Sequence, residues 1–249
     1  MKYLILITFA FTLFISCNST VQNHADKTVE NPAAKATLKD NSWWKDRHEN
    51  IVKTNKTKNP QLILIGNSIL NMLDNSDRKP VWEKYLNKYN AVNMGFSGDR
   101  TENVIWRLEN GEIDGINPKV ALLLIGTNNT DGNHYLEITQ PKELAEATWK
   151  ICKIIREKLP ETEILLLGIF PYGYKPNHRD NINKATNKIT SKFPEKDSHI
   201  HYRDIGTIFI DANGKVKKSL MSDFLHPNAE GHLLMFQAIE NDISDLMNR

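Results

Sequence analysis

The run VALLLI at residues 120–125 follows Pro118 and contains no polar residue. An unbroken apolar run introduced by proline is typical of a β-strand that is covered on both faces. A fifth strand is indicated at the edge of the sheet, because residues 199–205 alternate polar and apolar side chains. The other predicted strands lie at residues 62–65, 91–94 and 163–168.

Segments with the spacing of amphipathic helices separate these strands along the chain. They lie at residues 81–88, 101–108, 141–159, 181–192 and 228–247. Alternating strands and helices require a mostly parallel sheet with helices on both faces. The sequence therefore predicts an α/β fold, in which ligands bind at the carboxyl ends of the strands.

Length and composition are those of one folded domain. The chain has 249 residues, 40% hydrophobic and 25% charged, which is ordinary for a globular protein. The formal net charge is only +2. Since a nucleic-acid-binding surface needs a strongly basic patch, we expect no nucleic-acid partner.

The first residues resemble the signal of a bacterial lipoprotein. Lys2 precedes the apolar stretch 4–15, which is too short to span a bilayer, and Ser16 and Cys17 follow. We therefore predict a signal peptide at residues 1–17, with lipidation at Cys17 and a location at the bacterial cell envelope. The lipid would be the only attachment to the membrane. The alternative is ordinary secretion, in which Cys17 has no role.

Residues 18–41 are polar and poor in large apolar side chains, which predicts a flexible tether before a domain at 42–249. After Cys17 the one remaining cysteine is Cys152, so the mature chain has no pair for an intrachain disulfide. Cys152 falls on the apolar face of a predicted helix, and we expect it to be a small core residue.

Four short motifs carry the candidate chemistry. They are GNSI at 66–69, GFSGD at 95–99, GTNN at 126–129 and DFLHP at 223–227. The first three directly follow predicted strands, which brings distant parts of the chain to one edge of the sheet. Together they contain a hydroxyl, an imidazole with a nearby carboxylate, and neutral hydrogen-bond donors, which are the groups needed to hydrolyse an ester.

Ser68 is the candidate nucleophile, and it needs a base that takes its proton during attack. His226 is the candidate base, and Asp223 lies three residues earlier, where it can orient the imidazole. Taken alone, Ser68 could equally cap a helix. His232 is a rival base, but it lies inside the last predicted helix, where packing is the simpler role.

The developing negative charge on the ester oxygen requires fixed donors. We predict that the oxyanion hole consists of the backbone N–H groups of Ser68 and Gly98 and the side-chain amide of Asn128. The alternative is that Gly98, Asn128 and Asn129 are turn residues without a chemical role. No third His, Cys or carboxylate stands at metal-ligand spacing from His226, so we predict no metal.

The four motifs in this order resemble the SGNH or GDSL family of serine esterases. Within that family, residues 98–108 and 110–112 are similar to the catalytic subunits of platelet-activating-factor acetylhydrolases. The resemblance implies a three-layer α/β/α sandwich of flavodoxin-like type with a five-stranded sheet, a site on a flexible rim and no cofactor. One departure is Asn67, which stands where the family has Asp before the nucleophile; Asn still forms hydrogen bonds, so we expect activity to remain.

The roles of several aromatic and charged residues stay open in the sequence. Trp44, Arg47 and His48 precede the first strand and could line the pocket, although Trp44 fits the core equally well. Trp106 and Arg107 follow the second motif, and we expect packing for the first and a surface ion pair for the second.

These observations predict a serine esterase that removes short acyl groups, above all acetyl, from carbohydrates at the cell envelope. The substrate would be a glycan or a small-molecule ester. One alternative is an esterase of lysophospholipids or other small lipid esters, as the resemblance implies. Another is a glycan-binding lipoprotein without catalytic activity, which the complete set of Ser68, Asp223 and His226 argues against.

Overall fold

A computed structural model describes residues 30–135, 137–175 and 177–249 of the chain. The strands are β1 Leu62–Gly66, β2 Val92–Gly95, β3 Val120–Leu124, β4 Glu163–Leu167 and β5 Ile200–Arg203. They form one parallel sheet in the order β2-β1-β3-β4-β5. This is the flavodoxin-like strand order. The predicted α/β sandwich with five strands and β5 at one edge is confirmed.

Helices cover both faces of the sheet. In the described residues they are α1 Ser42–Lys58, α2 Ser68–Asn71, α3 Lys79–Tyr85, α4 Thr101–Glu109, α5 Pro141–Lys158, α6 His178–Thr190 and α7 Ala229–Met247. Successive residues of β3 point to opposite faces. Leu122 packs with α3 and α7, whereas Leu123 packs with α1, α4 and α5. The three layers follow from this alternation.

Helix α1 has no counterpart among the predicted helices. It begins after Asn41, whose side chain accepts a hydrogen bond from the backbone N–H of Trp44. Its buried residues are Trp44, His48, Ile51 and Asn55. These positions have helical spacing, but two of them are polar, so the apolar periodicity that reveals a helix is interrupted.

Two predicted helices have different bounds in the structure. Helix α3 begins at Lys79, because Pro80 is well suited to the first turn of a helix. It ends at Tyr85 rather than at residue 88. Helix α6 begins at His178 rather than at 181, because the side chain of Asn177 accepts a hydrogen bond from the backbone N–H of Asp180 and caps this turn.

The tether predicted at residues 18–41 is wrong for its second half. Residues 30–41 pack on the domain through the short turn Pro32–Ala34, and Ala33 is buried against it. Polar contacts hold this segment against α4, and such contacts cannot be predicted from composition. The predicted signal at 1–17, Cys17 and residues 18–29 lie outside the described residues. No helix within the described ranges is long and apolar enough to cross a membrane.

Candidate active site

Strands β1, β2 and β3 end at the same edge of the sheet. Gly66, the last residue of β1, is in register with the last residues of β2 and β3. A side chain at Gly66 would collide with β3, since its Cβ would lie 2.2 Å from the carbonyl oxygen of Leu124. Because these ends are so close, the segments that carry Ser68, Gly98 and Asn128 leave the sheet side by side.

Ser68 is the first residue of α2, immediately after the turn at the end of β1. The side chain of Asn67 caps this helix by accepting a hydrogen bond of 3.0 Å from the backbone N–H of Ile69. Ser68 Oγ lies 2.8 Å from Nε2 of His226, although 158 positions separate the two residues along the chain. The structure therefore brings the predicted nucleophile and base into direct contact.

Asp223 orients His226 from a loop before α7. Its Oδ2 lies 2.6 Å from Nδ1 of His226, and its Oδ1 accepts the backbone N–H groups of Leu225 and His226 at 3.1 and 2.8 Å. Partial burial raises the pKa of Asp223, but the hydrogen bonds from His226 outweigh it and hold the pKa below its usual value. An ionised Asp223 keeps the proton on Nδ1, so Nε2 can accept the proton of Ser68.

The turn that carries this pair has an unusual backbone. Phe224, between Asp223 and His226, has a φ of 60°, a left-handed conformation that is uncommon outside glycine. Its carbonyl accepts a hydrogen bond from the backbone N–H of Gly173, and its ring packs edge-on against Tyr174. These contacts hold the loop in the conformation that points His226 toward the sheet.

The predicted oxyanion donors lie on neighbouring segments. Within the described ranges, the backbone N–H groups of Ser68 and Gly98 have no hydrogen-bond partner. The amide of Asn128 donates to the carbonyl of Asp99 at 2.9 Å, which leaves its second hydrogen for another acceptor. Gly98 has a φ of 76°, which favours glycine. Asn129, in contrast, accepts the backbone N–H of Thr101 and fixes the start of α4.

His232 does not take part in this arrangement. It is fully buried on α7, and its Nε2 donates to the carbonyl of Ile69 in α2 at 2.8 Å. Burial lowers the pKa of His232 to about 4. Its imidazole is therefore neutral at ordinary pH and connects α7 to the helix of Ser68, which confirms that it packs.

Arg107 is not a surface residue, and the prediction of a surface ion pair is wrong. Its guanidinium is fully buried, where it bonds Asp99 at 2.9 Å and also Glu112. Trp44 belongs to the same cluster, because its indole N–H donates to Asp99 at 2.7 Å in the core. Sequence reasoning missed this cluster because charged residues on a helix are usually exposed.

The remaining residues that the sequence suggested for the pocket lie on α1 or pack against it. His48 is buried and contacts the backbone carbonyl of Asn110, so it belongs to the core. Arg47 is half-buried and donates to the carbonyls of Gly95 and Asn93 at the edge of β2. Trp106 is partly buried and packs on Trp44.

Two residues near Gly98 had no signal in the sequence. Lys39 donates to the carbonyl of Ser97 at 3.4 Å, and the hydroxyl of Tyr135 donates to the carbonyl of Gly98 at 2.7 Å. Lys39 lies in the polar segment that resembles a tether, and Tyr135 lies in an irregular loop. Only the folded chain brings them to residues 95–99, which we name the oxyanion loop because they include the predicted oxyanion donor Gly98.

Comparison with known proteins gives the family. The profile of the GDSL-like lipase/acylhydrolase family matches residues 64–234, more than half of the chain. A similar protein is the alpha1 subunit of platelet-activating factor acetylhydrolase IB from Bos taurus. It is 27% identical over 224 residues, which cover 88% of this chain and 92% of that subunit.

Solved structures show the same fold. A GDSL-like lipase from Bacteroides thetaiotaomicron superimposes with a TM-score of 0.60 at 16% identity, covering 80% of this chain and 97% of that protein. An acetyl xylan esterase also has a TM-score of 0.60, at 17% identity over 72% of this chain and 98% of that enzyme. With the match of the family profile, these findings identify the chain as a member of the GDSL-like lipase/acylhydrolase family and as a hydrolase that acts on esters.

Proposed function

We propose that this protein hydrolyses acetyl esters of carbohydrates through an acyl-enzyme formed on Ser68. The observation that carries the mechanism is the continuous chain of hydrogen bonds from Ser68 Oγ through His226 to Asp223. The oxygen of Ser68 attacks the ester carbonyl carbon while Nε2 of His226 takes its proton. His226 then gives this proton to the oxygen of the departing sugar, and the acetyl group stays on Ser68.

Deacylation repeats the same steps with water. His226 takes a proton from a water molecule, whose oxygen attacks the acetyl carbon. Ser68 then leaves, recovers the proton from His226, and acetate is released. In both tetrahedral intermediates the negative oxygen would accept hydrogen bonds from the N–H groups of Ser68 and Gly98 and from Asn128. Each such donor typically contributes about two to three orders of magnitude in rate.

A short acyl group is supported by the names of similar proteins, which include a platelet-activating factor acetylhydrolase subunit and an acetyl xylan esterase. A long acyl chain would need an apolar channel to bury its methylene groups, at about 0.8 kcal/mol for each. Acetyl needs only a shallow depression beside the serine.

A carbohydrate is supported by a groove alongside β2, the strand whose carboxyl end leads to the Gly98 loop. It has a volume of about 430 Å³ and lies between α1 and β2. Two tryptophans line it, of which Trp43 is 46% exposed and packs edge-on against Phe96 in the GFSGD motif. Flat aromatic faces bordered by polar side chains suit a sugar ring, which has an apolar face and hydroxyls at its edge.

The charges of the groove also favour a neutral ligand. Arg47 forms an ion pair of 2.9 Å with Asp74, and Lys58 donates to the carbonyl of Ala91. Together with Asp46, the formal charges on the lining residues cancel. Such a surface has no net positive charge to attract the phosphate of a phospholipid. Lipid esters are the second candidate, because similar proteins are named platelet-activating factor acetylhydrolases.

The same proposal includes a place in the cell. We infer that Cys17 carries a lipid and holds the enzyme at the bacterial cell envelope, where acetylated glycans are available as substrates. The support is the order of Lys2, the apolar stretch 4–15 and the Ser16–Cys17 pair. The contrasting possibility for the function is a glycan-binding lipoprotein without catalytic activity.

The test is turnover of p-nitrophenyl acetate by the wild type and by Ser68→Ala. We expect the variant to lose about four orders of magnitude or to fall to background. The control is Ser191→Ala, because the half-buried hydroxyl of Ser191 bonds the carbonyl of Lys188 in the last turn of α6, away from the site. Equal background rates for wild type and Ser68→Ala would favour the binding protein. Complete loss of activity with a chelator would contradict the serine mechanism.

The substrate class is tested by comparing acetylated xylooligosaccharides with lysophospholipids. We expect the purified enzyme to release acetate from the former. Trp43→Ala should lower kcat/KM for the oligosaccharide but not for p-nitrophenyl acetate, which is too small to reach the groove. Trp149→Ala is the matched control, since Trp149 packs on Phe193 away from the groove. Preference for the lipid would overturn the carbohydrate proposal.

A further inference from the structure

Residues 30–41, which we name the N-terminal strap, lie across α4. The carbonyl of Ala33 accepts the hydroxyl of Thr101 at 2.8 Å, and the carbonyl of Thr37 accepts the side-chain amide of Asn103 at 3.0 Å. The backbone N–H of Thr37 also donates to the carbonyl of Glu102. The strap precedes the residues that match the family profile, which begin at 64.

These contacts deliver one side chain to the oxyanion loop. Nζ of Lys39 lies 3.4 Å from the carbonyl oxygen of Ser97 and 3.9 Å from the buried carboxylate of Asp99. It occupies the space where a side chain at position 98 would stand, because a Cβ on Gly98 would be 2.9 Å from Nζ. Gly98 is suited to its backbone conformation, and its missing side chain leaves room for Nζ of Lys39.

The carbonyl of Ser97 and the N–H of Gly98 belong to one peptide group. In a trans peptide the C=O and the N–H lie in one plane and point in opposite directions. A donor that holds the carbonyl therefore also fixes the direction of the N–H. Hydrogen bonding to the carbonyl further polarises the peptide and makes its N–H a stronger donor.

The next two carbonyls of this loop are held in a similar way. The hydroxyl of Tyr135 donates to the carbonyl of Gly98 at 2.7 Å, and the amide of Asn128 donates to that of Asp99 at 2.9 Å. Three consecutive peptide groups are thus fixed by side chains from three separate segments. Of these three contacts, only that of Lys39 brings a positive charge.

We propose that Lys39 is a positioning residue, which holds and polarises the Ser97–Gly98 peptide so that the N–H of Gly98 stabilises the oxyanion. The inference rests on the esterase mechanism proposed for Ser68. Nζ of Lys39 lies closer to the carbonyl of Ser97 than to Asp99, whose carboxylate accepts shorter hydrogen bonds from Arg107 and Trp44. Burial is the main cause that lowers the pKa of Lys39, consistent with an ammonium that is partly withdrawn from water.

The experiment compares Lys39→Met, Lys39→Arg and the control Lys35→Met. Methionine has a similar shape but no charge, and Lys35 lies on the same strap with a largely exposed side chain. With p-nitrophenyl acetate we expect Lys39→Met to lower kcat about tenfold and to leave KM within about twofold. Arginine should restore most of the rate, and Lys35→Met should match the wild type.

A second measurement separates this role from a structural one. A methyl trifluoromethyl ketone adds to the nucleophilic serine as a hemiketal oxyanion, so its inhibition constant reports on the oxyanion hole. We expect this constant to rise with Lys39→Met by the same factor as kcat falls. Thermal unfolding of each variant shows whether the fold is retained.

Two outcomes would overturn the proposal. One is a Lys39→Met enzyme within twofold of wild type in both kcat and ketone inhibition. The other is a loss in kcat that the ketone does not follow, which indicates damage elsewhere in the site. Failure of the esterase mechanism itself is distinguishable, because Ser68→Ala would then keep the full rate whatever residue stands at 39.

Discussion

Asn67 differs from the Asp that the family has before the nucleophile, and the structure explains why Asn is suitable. It is almost completely buried, and its side-chain oxygen caps α2. An amide caps as well as a carboxylate does, because the capping atom is an oxygen in both. Asn avoids the cost of burying a negative charge beside the oxyanion, which the helix N-terminus would only partly offset.

We expect Asn67→Asp to retain activity within about tenfold and stability within about 1 kcal/mol, since the cap is preserved. Asn67→Ala should destabilise the protein by about 1 kcal/mol through loss of the cap. Urea unfolding and p-nitrophenyl acetate turnover measure the two quantities. An Asn67→Ala protein as stable as the wild type would contradict the capping role.

Helices α2 and α7 are joined through one buried imidazole. His232 of α7 donates to the carbonyl of Ile69, next to the serine at the start of α2. The nearby Arg78 contributes a second contact, from Nε to Nδ1 of His232 at 3.5 Å. The contact from Arg78 requires an unprotonated Nδ1, so protonation of the ring removes this contact and places a second positive charge beside Arg78.

Burial lowers the pKa of His232 from 6.5 to about 4. Below pH 6.5 the unfolded chain therefore takes up a proton that the folded protein does not accept until about pH 4. The contribution of neutral His232 to the free energy of unfolding is fully present above pH 6.5 and is lost progressively as the pH falls toward 4. The total loss is about 3 kcal/mol at most.

The measurement is urea unfolding of the wild type and His232→Gln at pH 7 and pH 5. Glutamine can still donate to Ile69 but does not titrate. We expect the wild type to lose about 2 kcal/mol more than the variant between these two values. The same loss in both proteins would show that His232 is not the group responsible.

The whole molecule protects the edge of its sheet with side chains from α1. Strand β2 has one free edge, and unpaired edge carbonyls can pair with other chains. Arg47 donates to the carbonyls of Asn93 and Gly95, and Lys58 donates to that of Ala91. The same side chains form the groove proposed for the sugar, so one surface serves both needs.

The proposed attachment to the membrane concerns the full chain, and it is tested on Cys17. We expect wild-type protein expressed in bacteria to incorporate radioactive palmitate and to sediment with membranes. Cys17→Ser should lose the label, because serine has no thiol to bond the lipid. Wild-type protein that is secreted without label would support the alternative in which Cys17 has no role.

The amino-acid sequence by itself determined the layers of the fold and the identity of the main site residues. Continuous apolar runs such as 120–125 mark buried strands, and parallel strands must carry their loops to one edge. Ser68 and Gly98 were therefore predictable, since each follows a strand that ends at this edge, whereas Asp223 and His226 were predicted from their spacing in one motif.

Only the tertiary structure decided which polar residues would be buried or brought to the site. Helix α1 was not predicted, because His48 and Asn55 occupy its core face. The burial of Arg107 was not predicted, because the sequence does not show the carboxylates that pair with its charge. Lys39 belongs to a segment with the composition of a tether. Local periodicity reports apolar burial, whereas a buried polar contact depends on distant partners that meet only when the chain folds.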